Sequence, residues 1–337
     1  MTAHREPRRF GGEGPPLSMM GLGTWAIGGP FFSGEGCHYP TGAPLGYGDV
    51  DDRQSTRAIH AAVDLGISLF DTSDVYGTGH SERVLGAALA GKRDDVLIAT
   101  KFGNTYDDAT KELTGTDISP TYIRHACEAS LQRLGTDRID LYQLHLGDLA
   151  PDDAVGVADT LERLSQDGLI RAYGWSTDDP ERARSFAGRP HAAAAQFDMN
   201  VFEDAQAMVE TCRGSGFVAL ARVPLAMGFL SGKFTVGSKL PANDIRSNPP
   251  TWLRYFDDGG HASAAWIAKL DAIKEILTSG GRTAAQGALA WIWGRDQTIV
   301  PIPGARTEAQ VTENAGAMAL GPLTPAQMAE IDTILER

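Results

Sequence analysis

Short apolar runs recur along this chain with room for one helix between each pair, and that alternation leaves few folds open. The clearest runs are Ser68–Asp71, Val96–Lys101, Asp140–His145, Ile170–Trp175, Ala194–Phe197, Val218–Val223 and Thr298–Ile302, with a weaker one at Ser18–Trp25. Each is short and bounded by polar or glycine residues, the pattern of a parallel strand buried on both faces. Helical patterns lie between them. Ser55–Leu65 sets Ile59, Ala62, Val63 and Leu65 near one face and stops at Gly66. Ser81–Leu89, Pro120–Leu134, Asp152–Gln166, Pro180–Phe186 and Asp204–Ser215 behave alike, and Ala262–Thr278, Thr283–Trp293, Glu308–Ala319 and Pro325–Leu335 close the chain. Eight strand–helix alternations predict an α/β chain folded as a single (β/α)8 TIM barrel.

At 337 residues the chain suits one such barrel, and no linker divides residues 17–337. Residues 1–16, polar and rich in glycine, are expected to form a mobile leader. Arg8-Arg9-Phe10 has the look of a twin-arginine signal, but glycines and prolines follow where an apolar stretch belongs. Two segments break the rhythm. Pro30–Asp52 holds eight Gly and Pro residues without periodicity, and Lys233–Gly260 is irregular, with Trp252, Tyr255 and Phe256 grouped in it. Both follow strands, so in a barrel both overhang the face where active sites form. Phe31, Phe32, the Leu146–Pro151 loop and the three aromatics of the second segment are expected to shape a substrate pocket there.

Four polar residues stand at or just beyond the C-terminal ends of successive runs: Asp71, Tyr76, Lys101 and His145. Adjacent parallel strands bring such ends to one rim. Reducing a carbonyl by hydride creates alkoxide charge and calls for a proton. A phenol is a weak acid, with a pKa of ~10, and a neighbouring ammonium lowers it. Asp71 can hold that ammonium in place, and His145 can orient the carbonyl oxygen. This chemistry needs no metal. Taken singly, each residue has a plain structural use as a turn cap, a solvated strand end, a packed loop aromatic or a satisfied core histidine; their shared position at the strand ends carries the functional reading.

The segments Asp71-Thr72-Ser73-x-x-Tyr76-Gly77, Ala99-Thr100-Lys101 and Leu141-Tyr142-x-Leu144-His145 resemble the signature segments of the aldo-keto reductase superfamily, in the family's order and spacing from about Leu17 onward. The resemblance implies a catalytic tetrad of Asp71, Tyr76, Lys101 and His145, with Tyr76 as general acid and NADPH as hydride source for a small carbonyl substrate.

Gly21-Leu22-Gly23-Thr24-Trp25-Ala26 fits a dinucleotide fingerprint, but Gly28-Gly29-Pro30 cannot continue the helix that a Rossmann turn must open. The resemblance instead makes this the first barrel strand, with Thr24 and Trp25 near the nicotinamide. It also implies that Ser176, Thr177 and Gln196 meet the carboxamide, although many relatives have asparagine where Thr177 stands. Arg222 occupies the place of an aromatic that stacks on the nicotinamide in many members, and a guanidinium can stack as well. Phe234 after the Gly232-Lys233 pair rules out a P-loop, and the resemblance implies instead that the segment with Pro224, Leu225, Gly228 and Lys233 straps the pyrophosphate. Val300–Glu308 reads as a strand, a Gly/Pro turn and a helix start, where backbone N–H groups and the helix dipole favour anions. The resemblance implies that Gly304 and Arg306, with Gln310, Glu313 and Asn314 on the following turns, take the adenosine 2′-phosphate and adenine.

A formal net charge of −13 argues against nucleic-acid and anionic-membrane partners. No window reaches the ~20 apolar residues of a membrane helix. Cys37, Cys127 and Cys212 match neither a disulfide framework nor a zinc pattern, so a reducing, cytoplasmic setting is expected. Two other readings compete. A non-catalytic NADPH-binding regulatory subunit similar to potassium-channel β subunits would tend to lack the histidine that this chain keeps as His145. A metal-dependent barrel hydrolase or isomerase would seldom put a lysine between its ligands.

Overall fold

The computed structural model describes Arg9, Phe10 and residues 15–337. In chain order its elements begin with β1 (Gly21–Gly23), β2 (Phe32–Ser33), α1 (Asp52–Asp64), β3 (Leu69–Asp71), α2 (His80–Ala88) and β4 (Leu97–Phe102). There follow β5 (Asn104–Asp107), β6 (Glu112–Thr116), α3 (Pro120–Leu134), β7 (Ile139–Leu144), α4 (Pro151–Gln166) and β8 (Ile170–Ser176). Next come α5 (Pro180–Arg184), β9 (Ala192–Asp198), α6 (Gln206–Ser215), β10 (Val218–Arg222), α7 (Ala264–Leu277) and α8 (Ala284–Arg295). The chain closes with β11 (Val300–Pro301), α9 (Glu308–Leu320) and α10 (Pro325–Ile334).

Eight strands run parallel in the order β1-β3-β4-β7-β8-β9-β10-β11, and a parallel bridge from Gly23 to Gly304 joins the two ends of the sheet. The expected TIM barrel is the observed fold. Because alternate residues of a strand face opposite ways, each strand feeds two cores. Phe70, Ile98, Tyr142 and Tyr173 point out to the helices, while Leu69, Leu97, Ala99, Leu141, Ala172, Ala194, Leu220 and Val300 fill the barrel. Further along these inward rows the residues turn polar: Asp71, Lys101, Gln143, Ser176, Gln196 and Arg222. The ring thus carries an apolar floor and a polar mouth.

Most of the expected leader, residues 1–8 and 11–14, lies outside the described residues. Phe10 within it is buried in the interior cluster with Leu69, Leu97 and Val300. Pro30–Asp52 holds a short strand where none is expected. Its β2 pairs with β6, which pairs with β5 in a hairpin that directly follows β4, giving a second, three-stranded sheet. Phe31, Leu45, Val75, Tyr76 and Leu113 pack under it as a separate apolar cluster, so this sheet forms a wall of the barrel mouth. Among the described residues no helix is long and apolar enough to cross a membrane.

Helix contacts outside the barrel are close. A Cβ on Gly287 of α8 would lie 2.1 Å from the carbonyl oxygen of Leu277 at the end of α7, whereas one on Gly156 of α4 meets nothing within 4 Å. Gly287→Ala is therefore expected to cost ~1–3 kcal/mol through overpacking. Gly156→Ala should stabilise the helix by ~0.5–1 kcal/mol, because alanine gives up less chain entropy. Thermal denaturation of the two variants beside the parent checks the opposite signs.

Candidate active site

Strand register brings the four rim residues together. Asp71 ends β3, Lys101 lies near the end of β4, His145 directly follows β7, and Tyr76 stands on the loop after β3. Lys101 is fully buried, and its Nζ donates to Asp71 Oδ1 at 2.6 Å, to the Thr72 carbonyl at 2.8 Å and to Tyr76 Oη at 3.4 Å. The other oxygen of Asp71 accepts from Gln196 Nε2 at 2.8 Å and Gln143 Nε2 at 3.2 Å. Both carboxylate oxygens are thus partnered, which is the condition for keeping a charge pair out of water. The Tyr76 ring stacks on Trp25 at 5.7 Å, and Trp25 is itself held by a hydrogen bond from Nε1 to the Leu45 carbonyl. His145 meets the phenol ring edge-on at 6.1 Å, and its Nδ1 is 3.2 Å from Ser73 Oγ.

Burial and charge set three different protonation states within this space. Burial lowers the Lys101 pKa, but Asp71 and the Tyr76 oxygen outweigh it, and the ammonium ends above its ordinary pKa. Burial pushes the Tyr76 phenol up, Lys101 pulls it back, and Asp71 pushes again; the net shift is upward. The sequence reading expected the lysine to bring this pKa down. That pull is present and burial exceeds it, so the phenol stays protonated. Burial, then the charges of Lys101 and Arg222, hold the His145 imidazole well below the usual histidine range, so it is neutral.

The mouth opens into a cavity of about 730 Å³, within the range of small-molecule sites. Asp71, Tyr76 and His145 line one part of it, and Lys101 lies behind them. Of the residues expected to hold a cofactor, Thr24, Trp25, Ser176, Gln196, Arg222, Pro224, Leu225, Gly228, Lys233, Gly304, Arg306, Gln310, Glu313 and Asn314 all line this cavity. Thr177 does not; it is fully buried, and its hydroxyl donates to the Gly147 carbonyl at 2.7 Å. Arg222 is tied down by acids, with Nη2 2.6 Å from Asp178 Oδ2 and Nε 2.9 Å from Asp198 Oδ1. Burial raises the Asp198 carboxyl to about 6, against the pull of Arg222.

The far part of the cavity is cationic. After β10 the chain coils tightly, with positive φ at Val223, Ala226 and Met227 and at Gly228 (φ 85°). Left-handed conformations at three non-glycine residues cost ~1–3 kcal/mol each and cluster where a backbone is shaped for a ligand. A Cβ at Gly228 would sit 3.7 Å from both Lys233 Nζ and Arg246 Nη1, filling the cradle between the two cations. Burial, then the charge of Arg246, lowers the Lys233 pKa, with Asp244 opposing and Arg306 adding to the fall. The Arg306 backbone N–H donates to Gln310 Oε1 at 2.8 Å, and its guanidinium donates to the carbonyls of Tyr47 and Asp49. Thr307 caps α9, whose N-terminus opens at this end. Anionic groups fit here by charge and by helix dipole.

Sequence reasoning missed several residues at the site. Tyr47 and Arg246 come from the two irregular loops, which meet over the cavity: the Ile245 N–H donates to the Gly46 carbonyl at 2.7 Å, and the Arg246 guanidinium lies 4.8 Å from the Tyr47 ring centre. Nothing local in an aperiodic segment announces such a meeting. Gln143 was findable, as the inward residue two places before His145. Phe31 and Trp252 line the cavity as expected, but Tyr255 and Phe256 do not; they are buried in an aromatic cluster with Phe229, Phe234 and Trp266. Rings of that size gain more from one another than from a wet rim.

Carboxylate, ammonium, phenol and imidazole can position and move a proton but cannot supply a hydride, so the mouth suits an oxidoreductase in which a second molecule brings the electrons. The chain belongs to the aldo/keto reductase family, whose pattern it matches over residues 19–336. It is 30% identical over 294 residues to an aldo-keto reductase of Schizosaccharomyces pombe named for NADP(+), spanning 85% of this chain and 83% of that one. A glycerol dehydrogenase of Gluconobacter oxydans superposes with a TM-score of 0.78 at 33% identity, covering 98% of this chain and 95% of its own. An aldo-keto reductase of Klebsiella pneumoniae, solved with NADPH, gives 0.65 at 24% identity with 98% and 95% coverage, a likeness of fold.

Removing one partner of a buried charge pair strands the other, at ~3–5 kcal/mol. The two partners differ in what they leave behind. Asp71→Ala leaves the Lys101 ammonium with only a carbonyl and a phenol, whereas Lys101→Met leaves Asp71 with two amide donors. Denaturant unfolding should show Asp71→Ala losing the larger stability, and equal losses would contradict this ordering.

Proposed function

We propose that this chain is an NADPH-dependent carbonyl reductase that converts an aldehyde or ketone to its alcohol, with Tyr76 as general acid. The observation that carries the reading is the Lys101 ammonium, fixed by Asp71 and pointing at the phenolic oxygen of a residue that lines the cavity. Bound NADPH supplies the hydride. Tyr76 gives its proton to the substrate oxygen as negative charge develops there, and Lys101 stabilises the phenolate that remains. His145, neutral and fixed through Nδ1, leaves its other nitrogen to orient the carbonyl. Trp25, stacked on Tyr76, shields the transfer from bulk water.

Support for NADPH comes from the NADP(+) in the name of the yeast relative and from the cationic end of the cavity. There Lys233 and the turn at Gly228 would hold the pyrophosphate, and Arg306, with Gln310, Glu313 and Asn314 on α9, would take the 2′-phosphate and adenine. At the other end Ser176 and Gln196 would meet the carboxamide. Arg222, tethered to Asp178 and Asp198, would lie against the nicotinamide with its plane already fixed. Phe31, Trp252 and Leu113 give the substrate side an apolar lining.

Tyr76→Phe is expected to lower turnover by ~10²-fold or more while NADPH affinity stays near the parent value, as steady-state kinetics and fluorescence titration will show. Arg306→Ala should weaken NADPH by far more than NADH, since only the former carries the extra phosphate. Equal losses for the two cofactors would refute the phosphate assignment.

A further inference from the structure

Asp74 and Ser73 belong to the same loop as the phenol, yet the chemistry above gives Asp74 no part and Ser73 only that of holding His145. Asp74 is 1% exposed, and its Oδ1 lies 3.1 Å from Ser73 Oγ. That same hydroxyl oxygen is 3.2 Å from His145 Nδ1. A hydroxyl has one proton to give. Ser73 can donate to Asp74 or to His145, but not to both at once.

We infer that Asp74 and Ser73 are positioning residues that decide which ring nitrogen of His145 carries its proton, and so whether the imidazole offers the substrate oxygen a donor or an acceptor. This rests on the role given to His145 above. With Asp74 protonated, its O–H donates to Ser73, Ser73 donates to Nδ1, and the ring proton stays on Nε2, where it can hydrogen-bond a carbonyl. On loss of one proton every link moves by one place. The Asp74 proton passes to Ser73, the Ser73 proton passes to Nδ1, and the Nε2 proton leaves to water in the cavity. No other bond changes. Nε2 then presents a lone pair, which suits the O–H of an alcohol undergoing oxidation.

The surroundings of Asp74 put this change in a working range. Burial is the largest influence and raises the carboxyl to about 8; Glu82 of α2 adds to the rise, while Arg133 of α3, Ser73 and the Val75 N–H oppose it. Arg133 is itself engaged by Glu82, with Nε 2.6 Å from Oε2, so its charge is shared rather than given wholly to Asp74. Tyr106 of β5, Tyr122 of α3 and Tyr142 of β7 also lie within reach of the Asp74 charge, and burial keeps all three phenols protonated. His145 is held neutral by burial and by Lys101 and Arg222, so its choice is between two neutral tautomers.

The test is nitrogen NMR of the full chain with ¹⁵N-labelled histidine, the His145 signals being identified by their loss in His145→Gln. Between about pH 6 and about pH 10 the Nε2 signal should move from the protonated to the unprotonated position as Nδ1 moves the other way. The midpoint is expected near 8. Asp74→Asn and Ser73→Ala should each abolish that transition, and Ser73→Thr, which keeps the hydroxyl, should restore it. A single tautomer throughout in the parent, or an unaltered transition in Ser73→Ala, overturns the inference. Undiminished turnover in His145→Gln would instead remove the role of His145 and leave the tautomer result standing.

Discussion

The structure turns on a positive charge kept away from water. The Lys101 ammonium is fully buried inside the barrel mouth, where an isolated charge would cost several kcal/mol, and it survives because Asp71 lies 2.6 Å away. Asp71 in turn needs donors for its second oxygen and takes them from Gln143 and Gln196. One charge thus recruits four strands, β3, β4, β7 and β9. Their parallel arrangement allows this, because only strands pointing the same way bring their inward C-terminal residues to one level. Fold and site share a single requirement.

The mouth also fixes the protonation states of its groups over a wider pH range than water would. Within a few ångströms it holds a charged amine, a protonated phenol and a neutral imidazole, each shifted from its ordinary pKa by burial and by its neighbours. Arg222 adds a second cation, but Asp178 and Asp198 tie it down. Further cations lie at the other end of the cavity: Lys233 and Arg246 flank Gly228, at the end of the turn strained at Val223, Ala226 and Met227, and Arg306 stands on the segment before α9. The cavity therefore runs from a proton-handling end to an anion-receiving one, as an extended phosphorylated cofactor requires.

The barrel was legible because its strands read as short apolar runs and helices such as α1 and α3 stop at glycines, Gly66 and Gly135. The rim residues were legible for a related reason: a polar residue ending an apolar run is unusual, and Asp71, Lys101 and His145 repeat it. The hairpin Asn104–Thr116 was missed because its β5 residues, Asn-Thr-Tyr-Asp, carry no apolar alternation; partnership with β6 and β2 defines it. Tyr255 and Phe256 looked like pocket residues, but their choice between pocket and core depends on Phe229 and Trp266, which are distant local context. The sign of the Tyr76 shift was out of reach as well, since it depends on how deeply the ring is covered.

The central claim is that Lys101 acts on the reaction through Tyr76, and a double-mutant cycle on turnover tests it most directly. Residues that work as one unit are strongly non-additive. If the account holds, adding Lys101→Met to Tyr76→Phe will lower kcat little beyond the worse single variant. If the two losses instead multiply, the ammonium and the phenol act separately, and the account fails.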